Sequence, residues 1–132
     1  IVGYNTTFQR SSDLGRQMNQ VFVGIPFGIL RRKLKYLCEM NGIRYVEQEE
    51  SYTSMASFWD LDEMPVYGEA GLVPPVFSGR RICRGLYQDR SGRRINADVN
   101  GALNIMRKCN IVSLRALYDR GDVDTPVRIR IA

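Results

Sequence analysis

Residues 26 to 46 read Pro26-Phe27-Gly28-Ile29-Leu30-Arg31-Arg32-Lys33-Leu34-Lys35-Tyr36-Leu37-Cys38-Glu39-Met40-Asn41-Gly42-Ile43-Arg44-Tyr45-Val46. Phe27, Leu30, Leu34 and Leu37 recur at steps of three and four, which lines one helical face, and Arg31, Arg32, Lys33 and Lys35 fill the rest. Pro26 suits the first helical position and Gly42 the stop after the last turn. Gly42 to Val46 then reads as a strand running into Glu47-Gln48-Glu49-Glu50-Ser51-Tyr52-Thr53-Ser54. Upstream, Ile1-Val2-Gly3-Tyr4 reads as another short apolar strand. Strand, loop, amphipathic helix and strand in that order predict a βαβ unit and an α/β fold.

Working outward, residues 5 to 20 are polar and rich in Ser, Asn, Gln and Thr, which predicts a loop. Asp13-Leu14-Gly15 lies inside it. It imitates the end of a nuclease's first catalytic strand, but it follows Arg10-Ser11-Ser12 and not an apolar run. Residues 55 to 95 show no periodicity and read as an irregular insert. A second helix is predicted from near Ala97, with Val99, Leu103 and Met106 on one face and Asp98, Ala102 and Ile105 on the next. A third, short helix is predicted over Val112 to Tyr118, ended by Gly121. The tail from Val127 to Ile131 alternates like an edge strand, a pattern that a disordered end shares.

The chain has 132 residues, enough for one domain, and its 44% apolar and 25% charged composition is globular. It contains no histidine, which excludes Ser-His-Asp and Cys-His nucleophile systems and His-ligated metals. Cys38, Cys83 and Cys109 form no CxxC pair, so neither a disulfide scaffold nor a zinc ribbon is expected. No apolar run is long enough to span a membrane, and no signal peptide opens the chain, so no membrane partner and a cytosolic location are expected. Ile1 in place of an initiator Met suggests the C-terminal piece of a longer protein.

The net charge of +5 comes from 16 Arg and 3 Lys against 14 acids. Guanidinium forks suit phosphate oxygens, and Arg80, Arg81, Arg84, Arg90, Arg93 and Arg94 crowd into one short stretch with the single acid Asp89. They make either a phosphate-contacting surface, with Tyr52 and Tyr87 available for stacking, or a solvated loop that pairs with the acidic segment before it. Glu47, Glu49 and Glu50 lie within four positions, and their mutual repulsion is relieved by a cation or by solvent. Asp98 near a helix start fits a cap or a first-turn acid as readily as a catalytic group.

Two longer stretches resemble a known family. Glu49-Glu50-Ser51-Tyr52-Thr53-Ser54 and Ile95-Asn96-Ala97-Asp98-Val99-Asn100-Gly101-Ala102-Leu103-Asn104-Ile105 are similar to the C-terminal part of OrfB/TnpB-type transposon proteins, relatives of type V CRISPR effectors. Val2-Gly3-Tyr4-Asn5, Phe77-Ser78-Gly79-Arg80-Arg81 and Arg84-Gly85-Leu86-Tyr87 fit the same family in order. The resemblance implies a partial RNase H-like (RuvC) fold with RuvC-like segments at 1–54 and 96–132. Between them, 55–95 would be an Arg-rich insert in place of a zinc ribbon.

It further implies a prokaryotic, RNA-guided DNA endonuclease whose partners are target DNA, a guide RNA and the missing N-terminal part of the same protein. Three carboxylates in such sites hold two Mg²⁺ (or Mn²⁺) ions. By motif, Asp98 is the last of the three, and the first lies upstream of Ile1. Many relatives place the second at the end of the opening strand, where this chain has Gly3. Some place it after the next helix and strand, where Glu50 fits, with Glu49 as the alternative and Glu47 third. Consecutive strand residues point to opposite faces, so Glu49 and Glu50 cannot both serve one site on a regular strand.

No structural zinc is expected, because four ligands cannot be assembled from three scattered cysteines and no histidine. Phe58, Trp59 and the arginines are expected to hold the insert together instead. The competing functional expectations are a guided DNA-binding protein that has lost catalysis and a non-functional mobile-element remnant.

Overall fold

The computed structural model describes residues 1–5, 26–68 and 74–120. Strand β1 (Val2–Tyr4) is followed by helix α1 (Phe27–Met40) and strand β2 (Glu47–Glu49). β1 and β2 pair in parallel, Val2 with Glu47, Gly3 with Gln48 and Tyr4 with Glu49, so the opening is the βαβ unit expected. Then come β3 (Arg80–Cys83), β4 (Leu86–Gln88), β5 (Arg94–Asn96), helix α2 (Ala97–Cys109) and the short helix α3 (Arg115–Arg120). The fold is mixed α/β, with two sheets and three helices among the described residues. The loop reading for 5–20, the Asp13-Leu14-Gly15 segment, Gly121 and the tail strand fall wholly or almost wholly outside these residues.

α1 ends where Gly42 predicts, and the mechanism is visible. Gly42 adopts φ +65°, its N–H donates to Glu39 O at 3.2 Å, and Ile43 N–H donates to Cys38 O at 2.8 Å. This is a Schellman cap, which places a left-handed residue just past the last turn. It also corrects the strand boundary: Ile43 belongs to the cap, and β2 starts at Glu47, not Gly42. Pro26 sits one position earlier than expected, as the N-cap residue. No residue of α1 is buried, and Ile29, Leu30, Leu34, Leu37 and Met40 are all exposed.

The insert is not irregular throughout. β3, β4 and β5 form an antiparallel meander with Tyr87 opposite Ile95 and Arg81 opposite Tyr87. The strands escape a periodicity search because each has three or four residues and β3 is exposed along its whole length. One face carries Tyr87 and Ile95 into the core with Phe58, Ala97, Leu103 and Leu114. Arg80, Gln88 and Arg94 are cross-strand neighbours on the other face. Tyr87 is 1% exposed, and its hydroxyl donates to Met55 O at 2.8 Å. Burial, then Asp62, Asp60 and Asp89, push its pKa up to about 12. Tyr87 is therefore a core residue and not the stacking surface expected.

α2 divides its faces as its sequence predicts: Leu103 is buried, with Val99 and Met106 packed beside it. A third stripe holds the fold together. The fully buried Asn100 accepts from Phe58 N at 3.1 Å and donates to Ala56 O at 2.9 Å. One turn on, the equally buried Asn104 donates to Thr53 O at 2.9 Å and Ala56 O at 2.7 Å. Two amides thus satisfy the backbone of a loop that has no ladder partner, which removes the cost of burying it.

Phe58 packs edge-on to Trp59 at 5.2 Å between ring centroids, and the Arg93 guanidinium lies 4.6 Å from the Trp59 ring centroid. Asp62 accepts from Ser57 N at 2.8 Å and Ser78 N at 2.9 Å, joining two ends of the insert. The three cysteines are unbridged, with Cys38 on α1, Cys83 on β3 and Cys109 at the end of α2.

Asn100→Ala should remove the buried amide that bonds Phe58 N–H and Ala56 O, costing roughly 2 kcal/mol or more in urea unfolding. Ala102→Ser, on the exposed side of the same helix, should change stability by less than about 0.5 kcal/mol.

Candidate nucleic-acid and metal site

The three clustered glutamates go to three different places. Glu47 pairs with Arg31 of α1 at 3.3 Å and accepts from Tyr45 Oη at 2.9 Å. Glu49 pairs with Lys108 near the end of α2 at 2.6 Å. The other Glu49 oxygen accepts from Ser51 N at 2.6 Å and from the Ser51 hydroxyl. Lys108 completes its shell at Ser51 O, 3.2 Å, and Pro65 O, 3.4 Å. Glu50 instead turns into an open groove of about 570 Å³ shared with Asp98.

The groove is built from three directions. α2 contributes its second stripe, Asp98, Gly101, Ala102 and Ile105, at the i, i+3, i+4, i+7 spacing of one helical face. The turns after β2 contribute Glu50 through Met55, and Asn5, Tyr67 and Arg81 complete the lining. The turns are held by Glu50 N to Tyr4 O at 3.1 Å, by Thr53 N and Oγ1 to Glu50 O, and by the α2 asparagines.

Asp98 is available because another residue caps the helix. The Asn96 side chain accepts from Asp98 N at 2.9 Å and Val99 N at 3.1 Å, which satisfies the orphan donors of the first turn. The Asp98 side chain remains exposed on the groove face.

Glu50 is only partly exposed, and its carboxylate lies against Gly3. A Cβ built on Gly3 would stand 2.5 Å from Glu50 Oε2 and 2.7 Å from Ile105 Cδ1. No side chain fits at position 3 while Glu50 holds this pose. The Glu50 carboxyl therefore fills the space that a side chain from β1 would otherwise enter. Burial, followed by the charge of Glu49, raises its pKa. For Glu49 burial pushes the same way, but hydrogen bonds from Lys108 and Ser51 outweigh it and the net shift is downward.

The structure thus places Glu50 and Asp98 on the lining of one groove and leaves Glu49 and Glu47 engaged in ion pairs elsewhere. Among the described residues no group of three or more Asp, Glu or Cys side chains is placed to hold a metal ion. Of the six clustered arginines, only Arg81 lines the groove. Arg90 donates to Ser78 Oγ at 2.9 Å, and Arg93 covers Trp59, so both serve the insert itself. Arg80, Arg84 and Arg94 are exposed on the meander. Sequence reasoning missed Asn5, Tyr67 and Arg81 as a group, since they come from segments that only the tertiary fold joins.

The sequence matches the Cas12f1-like, TNB domain family over residues 27–105, well over half of the chain. The chain belongs to that family. Membership relates it to the TnpB- and Cas12-type nucleases, the kinship its motifs suggested. The matched span begins at the first residue of α1, ends on α2 and includes both Glu50 and Asp98. No curated protein and no solved structure gives a significant match.

The two adjacent glutamates should respond oppositely to neutralisation. Glu49, with its lowered pKa, contributes stability above the ordinary carboxylate range and loses it as pH falls through that lowered value. Glu49→Gln should therefore cost about 1–2 kcal/mol at neutral pH, with the difference shrinking in acid. Glu50, with its raised pKa, opposes folding when ionised, so Glu50→Gln should stabilise the metal-free chain at neutral pH and lose that advantage in acid. Thermal melts across pH check both signs.

Proposed function

We propose that this chain is the C-terminal portion of a transposon-associated, RNA-guided DNA endonuclease with a RuvC-type active site. The observation that carries the reading is the position of Glu50: its carboxylate occupies the space above Gly3 and faces the same groove as Asp98. In many of the relatives this chain resembles, the second acid stands at the end of the opening strand, and in some it follows the next helix and strand. Here that strand keeps a glycine, and the glutamate just past the end of β2 fills the space that a side chain at position 3 would take.

The chain's own groups suit a divalent cation site. A partly buried carboxylate whose pKa is raised by burial and by a neighbouring charge gains from a cation more than from water. Glu50 and Asp98 would hold Mg²⁺ or Mn²⁺ together with an Asp supplied from upstream of Ile1. When bound, the ions supply water activation and leaving-oxygen stabilisation for phosphodiester hydrolysis. Arg81 provides a guanidinium to orient the phosphate. Lys108 keeps Glu49 out of the groove, and the Asn100 and Asn104 amides fix the wall that carries Glu50. Without the third carboxylate the chain alone is inactive.

Two further features support a part of a larger protein. α1 offers an apolar face with no buried residue, and β1–β2 is a sheet of only two strands among the described residues. Faces of this kind gain by packing on more protein. The insert stands where relatives carry a zinc ribbon, and its donor set does not fit zinc. The cysteines lie on separate elements, and Phe58, Trp59, Arg93 and Asp62 do the holding. Target DNA and guide RNA are the partners this reading implies. No helix among the described residues is long and apolar enough to cross a membrane.

The test is cleavage of guided target DNA by the complete protein. Glu50→Ala and Asp98→Ala should each lower the rate by at least about 100-fold with DNA binding retained, and Glu49→Ala should lower it far less. Gly3→Glu combined with Glu50→Gly should recover part of the activity lost in Glu50→Gly alone. DNA binding with no cleavage by the unaltered protein would replace the nuclease with a binding-only function.

A further inference from the structure

The groove holds a second chemistry beside its carboxylates. Tyr52 and Tyr67 line it, with ring centroids 6.0 Å apart and planes tilted by 31°. Phe77 backs Tyr52 at 5.8 Å. These rings stand apart from the hydrophobic core, and Tyr67 is 71% exposed. An exposed Tyr67 beside a half-buried Tyr52 and Phe77, gathered at one wall of a groove and outside the core cluster, needs an explanation that core packing does not give.

Both tyrosines are held in place by the backbone. Tyr52 adopts φ +63°, a left-handed conformation that is disfavoured for a bulky residue, and it does so between Glu50 and the Asn-pinned segment. Tyr67 N–H donates to Ser51 Oγ at 3.2 Å, and Lys108 reaches Pro65 O, so the Tyr67 turn is tied to the cluster that positions Glu49. Arg81 opens onto the same groove, and among the described residues its guanidinium has no ion-pair partner.

We infer that Tyr52 and Tyr67 form a stacking platform for one unpaired nucleobase of a single strand lying in the carboxylate groove, with Arg81 on an adjoining phosphate. The inference rests on the nuclease reading only in taking this groove as a nucleic-acid site. A flat ring offers its π-face to any base, so the platform is tolerant of sequence. Bases within a duplex are stacked on each other and cannot present that face. The platform therefore selects an opened strand and sets which phosphate lies beside Glu50 and Asp98.

The test titrates the intact chain, with EDTA present, against a short single-stranded oligodeoxynucleotide carrying one 2-aminopurine. Binding should quench the 2-aminopurine, and an abasic site at that position should remove the gain in affinity. Tyr52→Ala and Tyr67→Ala should each weaken binding roughly 5- to 100-fold and abolish the quench, while Tyr52→Phe keeps both. Tyr67 is in an exposed turn, so its alanine variant stays folded even if Tyr52→Ala does not, and circular dichroism checks this. An oligoribonucleotide of the same sequence identifies the strand: a preference for either sugar supports the platform. Alanine variants that bind and quench as the parent does, or a duplex that competes as well as the single strand, would overturn it. Metal is absent throughout, so this failure is separate from any failure of Glu50 and Asp98 to bind Mn²⁺.

Discussion

Everything at the groove depends on two amide side chains. Asn100 and Asn104, one helical turn apart on α2, bond Thr53 O, Ala56 O and Phe58 N inside the molecule. That loop lacks a strand partner, and its remaining groups turn to Tyr52, Asp62 and the Tyr87 hydroxyl. Because the same helix carries Asp98 on a neighbouring stripe, the grip fixes the distance between the two walls of the groove. The path from β2 through Glu50 and Tyr52 is consequently set by α2, and the carboxylates and aromatic rings are aligned by one structural device.

The sheet side adds a constraint of space. A parallel β1–β2 pair puts Gly3 beside the chain leaving β2, and the missing side chain leaves room for the Glu50 carboxylate. Glu49 does not line the groove. Lys108 and Ser51 hold it away, and its remaining charge still acts on Glu50 through space. Three acids crowded in sequence thereby become one groove-lining carboxylate and two structural anchors. The repulsion that clustering implies is relieved by Arg31 and Lys108 for two of them and left acting on the third.

Much of this was legible in the residues. Leucine spacing and Gly42 predict α1 and its end, because a local pattern and a single left-handed position decide both. The two faces of α2 follow from periodicity, so Asp98, Ala102 and Ile105 fall together as the groove wall. The alternation rule separates Glu49 from Glu50. Other features were hidden for physical reasons. The meander strands are too short and too rich in arginine to show a period, and Tyr87 gives no sign that its ring is core while Tyr52 stays half-buried and Tyr67 exposed at the groove. Nor does the sequence say that Asn100 and Asn104 are buried, since their partners are backbone atoms more than forty positions away.

The central claim is that Glu50 and Asp98, and not Glu49, share a divalent cation. The most direct measurement is a Mn²⁺ titration of the isotope-labelled chain followed by paramagnetic line broadening. The account predicts that signals of Gly3, Glu50, Asp98 and Gly101 broaden together at low Mn²⁺ and that Asp98→Asn removes the effect. Broadening centred on Glu47 or Glu49, or no selective broadening near the groove, would contradict it.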